Sequence, residues 1–168
     1  MVEAGILLED ERLEVIGGEI VEMSPKGYRH EGLKGGINRF WGRICPEGFD
    51  YLPETGLYLS ELTYVEPDFV VFRARETVQG LTGPDILLAI EIADSSLPYD
   101  LRVKPQIYAA HGVHELWVID VARRVAHVHL DATPGGYRSV AQLSADRRVV
   151  PRHAPQELAF KLDDFSRA

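Results

Sequence analysis

The sequence predicts an α/β fold: one domain over residues 1–168, with a mixed central sheet flanked by helices and a β-hairpin near its start. Three patterns predict it. Residues 86–92, Ile-Leu-Leu-Ala-Ile-Glu-Ile, form a nearly unbroken apolar run, the mark of a central strand covered on both faces. Residues 28–45 place apolar side chains at three- and four-residue steps, the mark of an amphipathic helix. Around them, short β-prone runs alternate with glycine and proline punctuation, and no repeat or low-complexity linker divides the chain.

Each element follows from local chemistry. Residues 11–23 alternate apolar and polar about Gly17-Gly18, which reads as two short strands and a tight turn. The helix over 28–45 carries Leu33, Ile37, Phe40, Trp41 and Ile44 on one stripe. Its Gly32, Gly35 and Gly36 each cost about 1 kcal/mol against alanine, so the helix needs a closely packed neighbour. Residues 49–60 read as a strand, a turn at Pro53–Gly56 and a second strand. Pro67 opens a β-prone run from Asp68 to Phe72. After the central run, Asp94–Pro98 is loop chemistry, and Val103, Ile107 and Tyr108 predict a helix starting near Lys104 with Pro105 in its first turn and Gly112 as its stop. Leu116–Ile119 is a second buried strand ending in Asp120. Arg123-Arg124 then turns the chain into the alternating Val125–Leu130, and residues 137–143 and 158–165 add small elements.

Composition bounds the function. A chain of 168 residues buries about 70% of its surface and needs no staples. Apolar content of 45% with 26% charge excludes a disordered or fibrous chain, and a single cysteine, Cys45, excludes an internal disulfide and a cysteine-based zinc site. No apolar run approaches a membrane span, and residues 1–20 carry six acids and one base, the opposite of a signal peptide, so the expected location is the cytoplasm. The net charge of −8 argues against non-specific nucleic-acid binding by the whole surface. The distribution is uneven: residues 46–100 hold eleven acids and two bases, whereas residues 23–45 hold five bases and one acid and residues 101–148 seven bases and four acids. An acidic middle bracketed by basic segments suits a divalent cation beside an anionic substrate, and equally suits plain solvated faces.

Two acids fall where burial makes acids costly. Asp68 heads one apolar strand and Glu91 interrupts another. Two such carboxylates brought together repel unless a cation lies between them, and Mg²⁺ suits one or two protein carboxylates completed by waters and phosphate. Pattern alone leaves a blander alternative open, in which Asp68 caps a turn and Glu91 pairs with an arginine. Pro67-Asp68, a strand, a loop and a strand bearing Glu91 resemble the PD-(D/E)xK nuclease superfamily. The run EIADSSLPYDLRVKPQIYAAHGVHELWVID (residues 91–120), with LEVIGGEIVEMSP (residues 13–25) and the His30 segment, resembles one family within it, the Uma-two family of restriction-endonuclease type.

The resemblance implies a restriction-endonuclease-like core in which Asp68 and Glu91 meet at one edge of the sheet. It implies Mg²⁺- or Mn²⁺-dependent hydrolysis of DNA phosphodiester bonds, with Asp68, Glu91 and the backbone carbonyl of Ile92 as metal ligands and a catalytic lysine. The superfamily lysine lies two residues after the glutamate, where this chain has Ala93. Lys104 is the nearby candidate, with a surface lysine at a helix end as the alternative. His30 lies on the inward stripe of the first helix, which fits a core histidine, and the resemblance puts it near the active-site cleft as a proton carrier or a phosphate contact.

Lesser candidates complete the reading. Glu31 lies next to His30. Asp94, Ser95 and Ser96 are turn residues, and Asp100 is placed to pair with Arg102, Lys104 or metal-bound water. His127 and His129 read as a solvated strand face, and Tyr108 and Trp117 as core. Arg29, Lys34 and Arg102, with Arg39 and Arg124, are candidate phosphate contacts, whose affinity for DNA would fall with salt. A homodimer is expected if both strands are cut. The competing readings are a nuclease-fold module that binds nucleic acid without turnover, favoured by the missing strand lysine, and a self-associating protein that uses the Arg123–Leu130 hairpin.

Overall fold

The alternation about Gly17-Gly18 closes as a hairpin. Leu13–Ile16 (β1) pairs antiparallel with Glu19–Glu22 (β2), Val15 opposite Ile20. The turn glycines have φ of 60° and 87°, a region glycine enters without steric cost. The computed structural model describes residues 13–165, so residues 11 and 12 of the predicted hairpin lie outside the described residues.

The amphipathic run becomes the helix Tyr28–Ile44 (α1), which buries His30, Leu33, Gly36, Ile37 and Trp41. A Cβ on Gly36 would stand 2.9 Å from the Phe165 ring, which explains why a poor helix former is used there. The Trp41 ring packs edge-on against Phe69, and its Nε1 donates to the Leu158 carbonyl at 2.9 Å.

The remaining strands are Phe49–Pro53 (β3), Leu57–Ser60 (β4), Thr63–Val65 (β5), Phe69–Arg73 (β6), Ile86–Ala93 (β7), Leu116–Asp120 (β8), Val125–Thr133 (β9) and Gly136–Ser144 (β10). A six-stranded sheet runs in the order β10-β9-β8-β7-β6-β3, and a four-stranded sheet in the order β2-β1-β5-β4. The strand–turn–strand expected over 49–60 is present, but its halves do not pair: β3 borders β6 in the large sheet, while β4 pairs with β5 in the small one. In the large sheet only β7 and β8 are parallel. A parallel pair requires a crossover, and here the crossover contains the helices Leu97–Arg102 (α2) and Lys104–Ala110 (α3).

Strand alternation splits the core. One cluster joins Leu33, Ile37 and Trp41 of α1 to Phe69, Val71, Leu88, Ile90 and Ile92. The other joins Val70, Phe72, Ala89 and Ala93 to Tyr108 of α3 and to Leu57 and Val65 of the small sheet. The register places Phe69 opposite Ile90. Asp68 and Glu91 each lie one residue beyond that pair, and alternation puts both side chains on the face covered by α3. The C-terminal segment returns through an isolated bridge between Val149 and Phe160 and two short 3₁₀ turns.

Candidate active site

Asp68 sits where β6 begins, with 3% of its surface exposed. Its Oδ2 accepts the Ile92 N–H at 2.7 Å. Its Oδ1 takes the Lys26 ammonium at 2.7 Å and His30 Nε2 at 2.9 Å. Burial alone would raise this carboxyl, but the His30 hydrogen bond and the neighbouring His30 and Lys26 charges outweigh burial and hold it below the ordinary Asp value.

Glu91 faces the same cleft from β7. Its Oε1 accepts from Tyr108 Oη at 2.5 Å and from Lys104 Nζ at 3.1 Å. Oε2 receives no donor from the described residues and opens on the cleft; among them only Tyr99 Oη is both sealed from solvent and without a hydrogen-bond partner. Burial pushes the Glu91 carboxyl up to about 8, against the pull of Lys104 and with the carboxylates of Asp100, Glu14 and Asp68 adding to it.

Lys104 is buried at the start of α3, as the sequence placed it. Its ammonium bonds Glu91 and also Glu14 of β1. Burial alone would lower its pKa, but those two carboxylates raise it, so the side chain stays a cation. Glu14 Oε1 also accepts the Glu66 N–H at 3.0 Å, which ties the small sheet to the site. Asp100 accepts from Ser96 Oγ at 2.5 Å rather than from Arg102, and burial pushes it up to about 6.

A closed ring of ionisable side chains runs outward from the cleft wall. Lys26 bridges Asp68 and Glu54; His30 bridges Asp68 and Glu31, with Nδ1 at 3.1 Å from Glu31 Oε1; Lys34 bridges Glu31 at 2.8 Å and Glu54 at 3.0 Å. Glu54 is held down at about 2: burial works the other way, but the Lys26 and Lys34 hydrogen bonds prevail. The cleft encloses about 360 Å³, lined by Glu14, Lys26, His30, Asp68, Glu91, Ile92, Tyr99, Asp100 and Lys104 among others.

The structure thus gathers Asp68, Glu91, Lys104 and His30 into one cleft. Arg29 is exposed on the rim of a second cleft shared with Arg124, Lys34 lies in the ionic ring, and Arg102 is exposed on α2. Sequence reasoning missed Glu14, Lys26 and Tyr108 as parts of the site. Glu14 was legible as an acid within an alternating strand; Lys26 and Tyr108 carried no separate signal. The solvated face expected for His127 and His129 is corrected at His129, which is buried with its ring 5.8 Å from that of Tyr137. α3 packs on that face of β9, and the Tyr137 ring closes over the imidazole. Among the described residues, no group of three or more His, Cys, Asp or Glu side chains is arranged to hold a metal ion. None of the described helices is long and apolar enough to cross a membrane.

A mixed sheet with one parallel pair bridged by helices is consistent with a restriction-endonuclease-like fold. A solved structure titled as a "putative nuclease belonging to DUF820" from Anabaena variabilis has the same fold, with a TM-score of 0.72 at 18% identity, covering 97% of this chain and 94% of that one. Over residues 4–163 the chain matches the Uma2 family, described as "Putative restriction endonuclease", and it belongs to that family. No functionally curated protein matches it.

Proposed function

We propose that the protein is a divalent-cation-dependent endonuclease that hydrolyses DNA phosphodiester bonds. The observation that carries the proposal is the convergence of Asp68 and Glu91 on one cleft with the Lys104 ammonium on Glu91.

The donor set suits Mg²⁺ or Mn²⁺. Asp68 and the open Oε2 of Glu91 are hard oxygen donors. The Ile92 carbonyl is the third: it lies on the side of β7 where Ile92 N–H meets Asp68. Two carboxylates and a carbonyl are fewer than three acidic or imidazole side chains, which fits an ion that keeps several waters. Burial lifts Glu91, with the carboxylates of Asp100, Glu14 and Asp68 adding to it, and a cation at the carboxyl offsets both. A cation bound there supplies Lewis-acid polarisation of the phosphate and a water of lowered pKa.

The chain's own groups do the rest. Lys104, kept protonated by two carboxylates, orients water and stabilises charge at the phosphate rather than acting as a base. Tyr108 and Lys104 fix the Glu91 carboxyl. His30 presents a proton at Nε2 to Asp68 and is the proton carrier. Arg102, exposed on α2, contributes positive charge for a flanking phosphate, whereas Arg29 lies at the second cleft and Lys34 is neutralised by Glu31 and Glu54. The acids lining the cleft repel DNA in the absence of a cation, so productive binding depends on the metal. Cutting both strands calls for a symmetric dimer with two such clefts.

The test is plasmid nicking with Mg²⁺ or Mn²⁺ by the wild type and by folded Asp68→Ala, Glu91→Ala and Lys104→Ala. Metal-dependent nicking lost in all three is expected. Retardation of DNA without nicking by the wild type overturns the enzyme in favour of a binding module.

A further inference from the structure

Asp68 has no oxygen without a donor. Oδ2 is held by Ile92 N–H, which the sheet fixes, and Oδ1 is shared by His30, fixed on α1, and Lys26. Oδ1 already holds two donors, so a cation that takes Oδ1 must displace one of them. Lys26 is the donor free to leave: it stands on the irregular segment between β2 and α1, on a flexible four-carbon stem, and it lines the cleft. It also has somewhere to go. Its ammonium lies 2.7 Å from Glu54 Oε1 as well as 2.7 Å from Asp68 Oδ1, and Glu54 is the more exposed of the two acids, with 36% of its side chain accessible against 4%.

We propose that Lys26 is a built-in placeholder for the metal: its ammonium neutralises Asp68 in the metal-free protein and withdraws onto Glu54 when a divalent cation binds, so that this residue sets the affinity of the site. The proposal rests on the metal-dependent reading above. A buried carboxylate stripped of its counter-charge is costly, so the empty site needs a substitute cation to stay folded. A dication and an ammonium on the same oxygen, Oδ1, repel, so a cation there and the Lys26 ammonium compete. Lys104 differs in kind: it is enclosed by Glu14 and Glu91 and has no second, more exposed partner.

The experiment is calorimetric titration of Mn²⁺, without DNA, into the wild type, Lys26→Met, Lys26→Arg, Glu54→Gln and Asp68→Asn, with thermal melts in EDTA. Lys26→Met is expected to bind Mn²⁺ about tenfold tighter than the wild type, the scale of removing one competing charge at a few ångströms, and to melt lower in EDTA. Lys26→Arg keeps the charge and stays within a few-fold of the wild type. Glu54→Gln removes the withdrawal partner and weakens binding several-fold, a change opposite in sign to that of Lys26→Met and at a partly exposed residue. Mn²⁺ binding that Asp68→Asn abolishes, but that is unchanged or weaker in Lys26→Met, overturns the placeholder and leaves the metal site standing. No Asp68-dependent binding in either the wild type or Lys26→Met overturns both. Binding in Lys26→Met with none in the wild type supports the placeholder.

Discussion

Glu91→Gln tests the electrostatics of the cleft directly. The native Glu91 carboxyl holds its proton up to about pH 8, against 4.5 for an ordinary glutamate. Between those values the folded chain binds a proton that the unfolded chain has released. Its contribution to stability is therefore complete below the unfolded value and is lost as pH rises towards 8. One proton of difference corresponds to a slope of at most about 1.4 kcal/mol per pH unit. Asp100, raised from 3.8 to about 6, steepens the fall at the acidic end. Glutamine keeps an oxygen for Tyr108 and Lys104 but cannot titrate. Urea denaturation in EDTA between about pH 5 and pH 8 is the assay. The stability of the wild type minus that of Glu91→Gln should decline by about 1 kcal/mol per pH unit, and saturating Mn²⁺ should flatten the wild-type decline. Parallel profiles for the two proteins would refute the assignment of the raised carboxyl to Glu91.

Two further predictions concern the frame. Glu115, fully buried, accepts from Trp117 Nε1 at 2.7 Å and from the backbone N–H groups of Arg152 and His153 at 2.8 and 3.1 Å. Glu115→Leu strands three donors and should cost about 3 kcal/mol or more, lowering Tm by about 10 °C; a shift under about 2 °C would remove it as the anchor of the C-terminal segment. In Gly83→Ala the new Cβ would stand 1.9 Å from the His111 carbonyl oxygen, so the turn after α3 must move. A loss of about 2–4 kcal/mol in urea is expected, and a wild-type midpoint would show that the turn yields freely.

Much of this architecture was legible because burial and period speak in short windows. The central run over 86–92 could be little other than a covered strand, and Asp68 and Glu91 stood out because acids are rare there. Pro105 and Gly112 bracketed α3 within a residue or two. What escaped depended on distant packing. The separation of β3 and β4 into different sheets is a matter of partners, not of local pattern. Glu14 and Lys104 meet across ninety positions of sequence, and nothing in either neighbourhood announces the other. Tyr108 read as core, and its ring is; only its hydroxyl has a task, and a hydroxyl's direction is invisible in one dimension. His129 was misplaced because alternation tells which residues share a face but not whether a helix covers that face.

The parallel pairing of β7 with β8 has a mechanical consequence. The acids belong to the sheet, whereas the ammonium of Lys104 rides on the bridge that the pairing obliges the chain to make. Sheet centre and bridge need not loosen together: a few helical turns can lift while the strands remain zipped. Such an excursion would carry the lysine off its glutamate and disarm the molecule without unfolding it. Whatever clamps or pries that bridge holds a handle on the chemistry, and amide exchange that is quicker along residues 97–110 than in β7 would reveal the hinge.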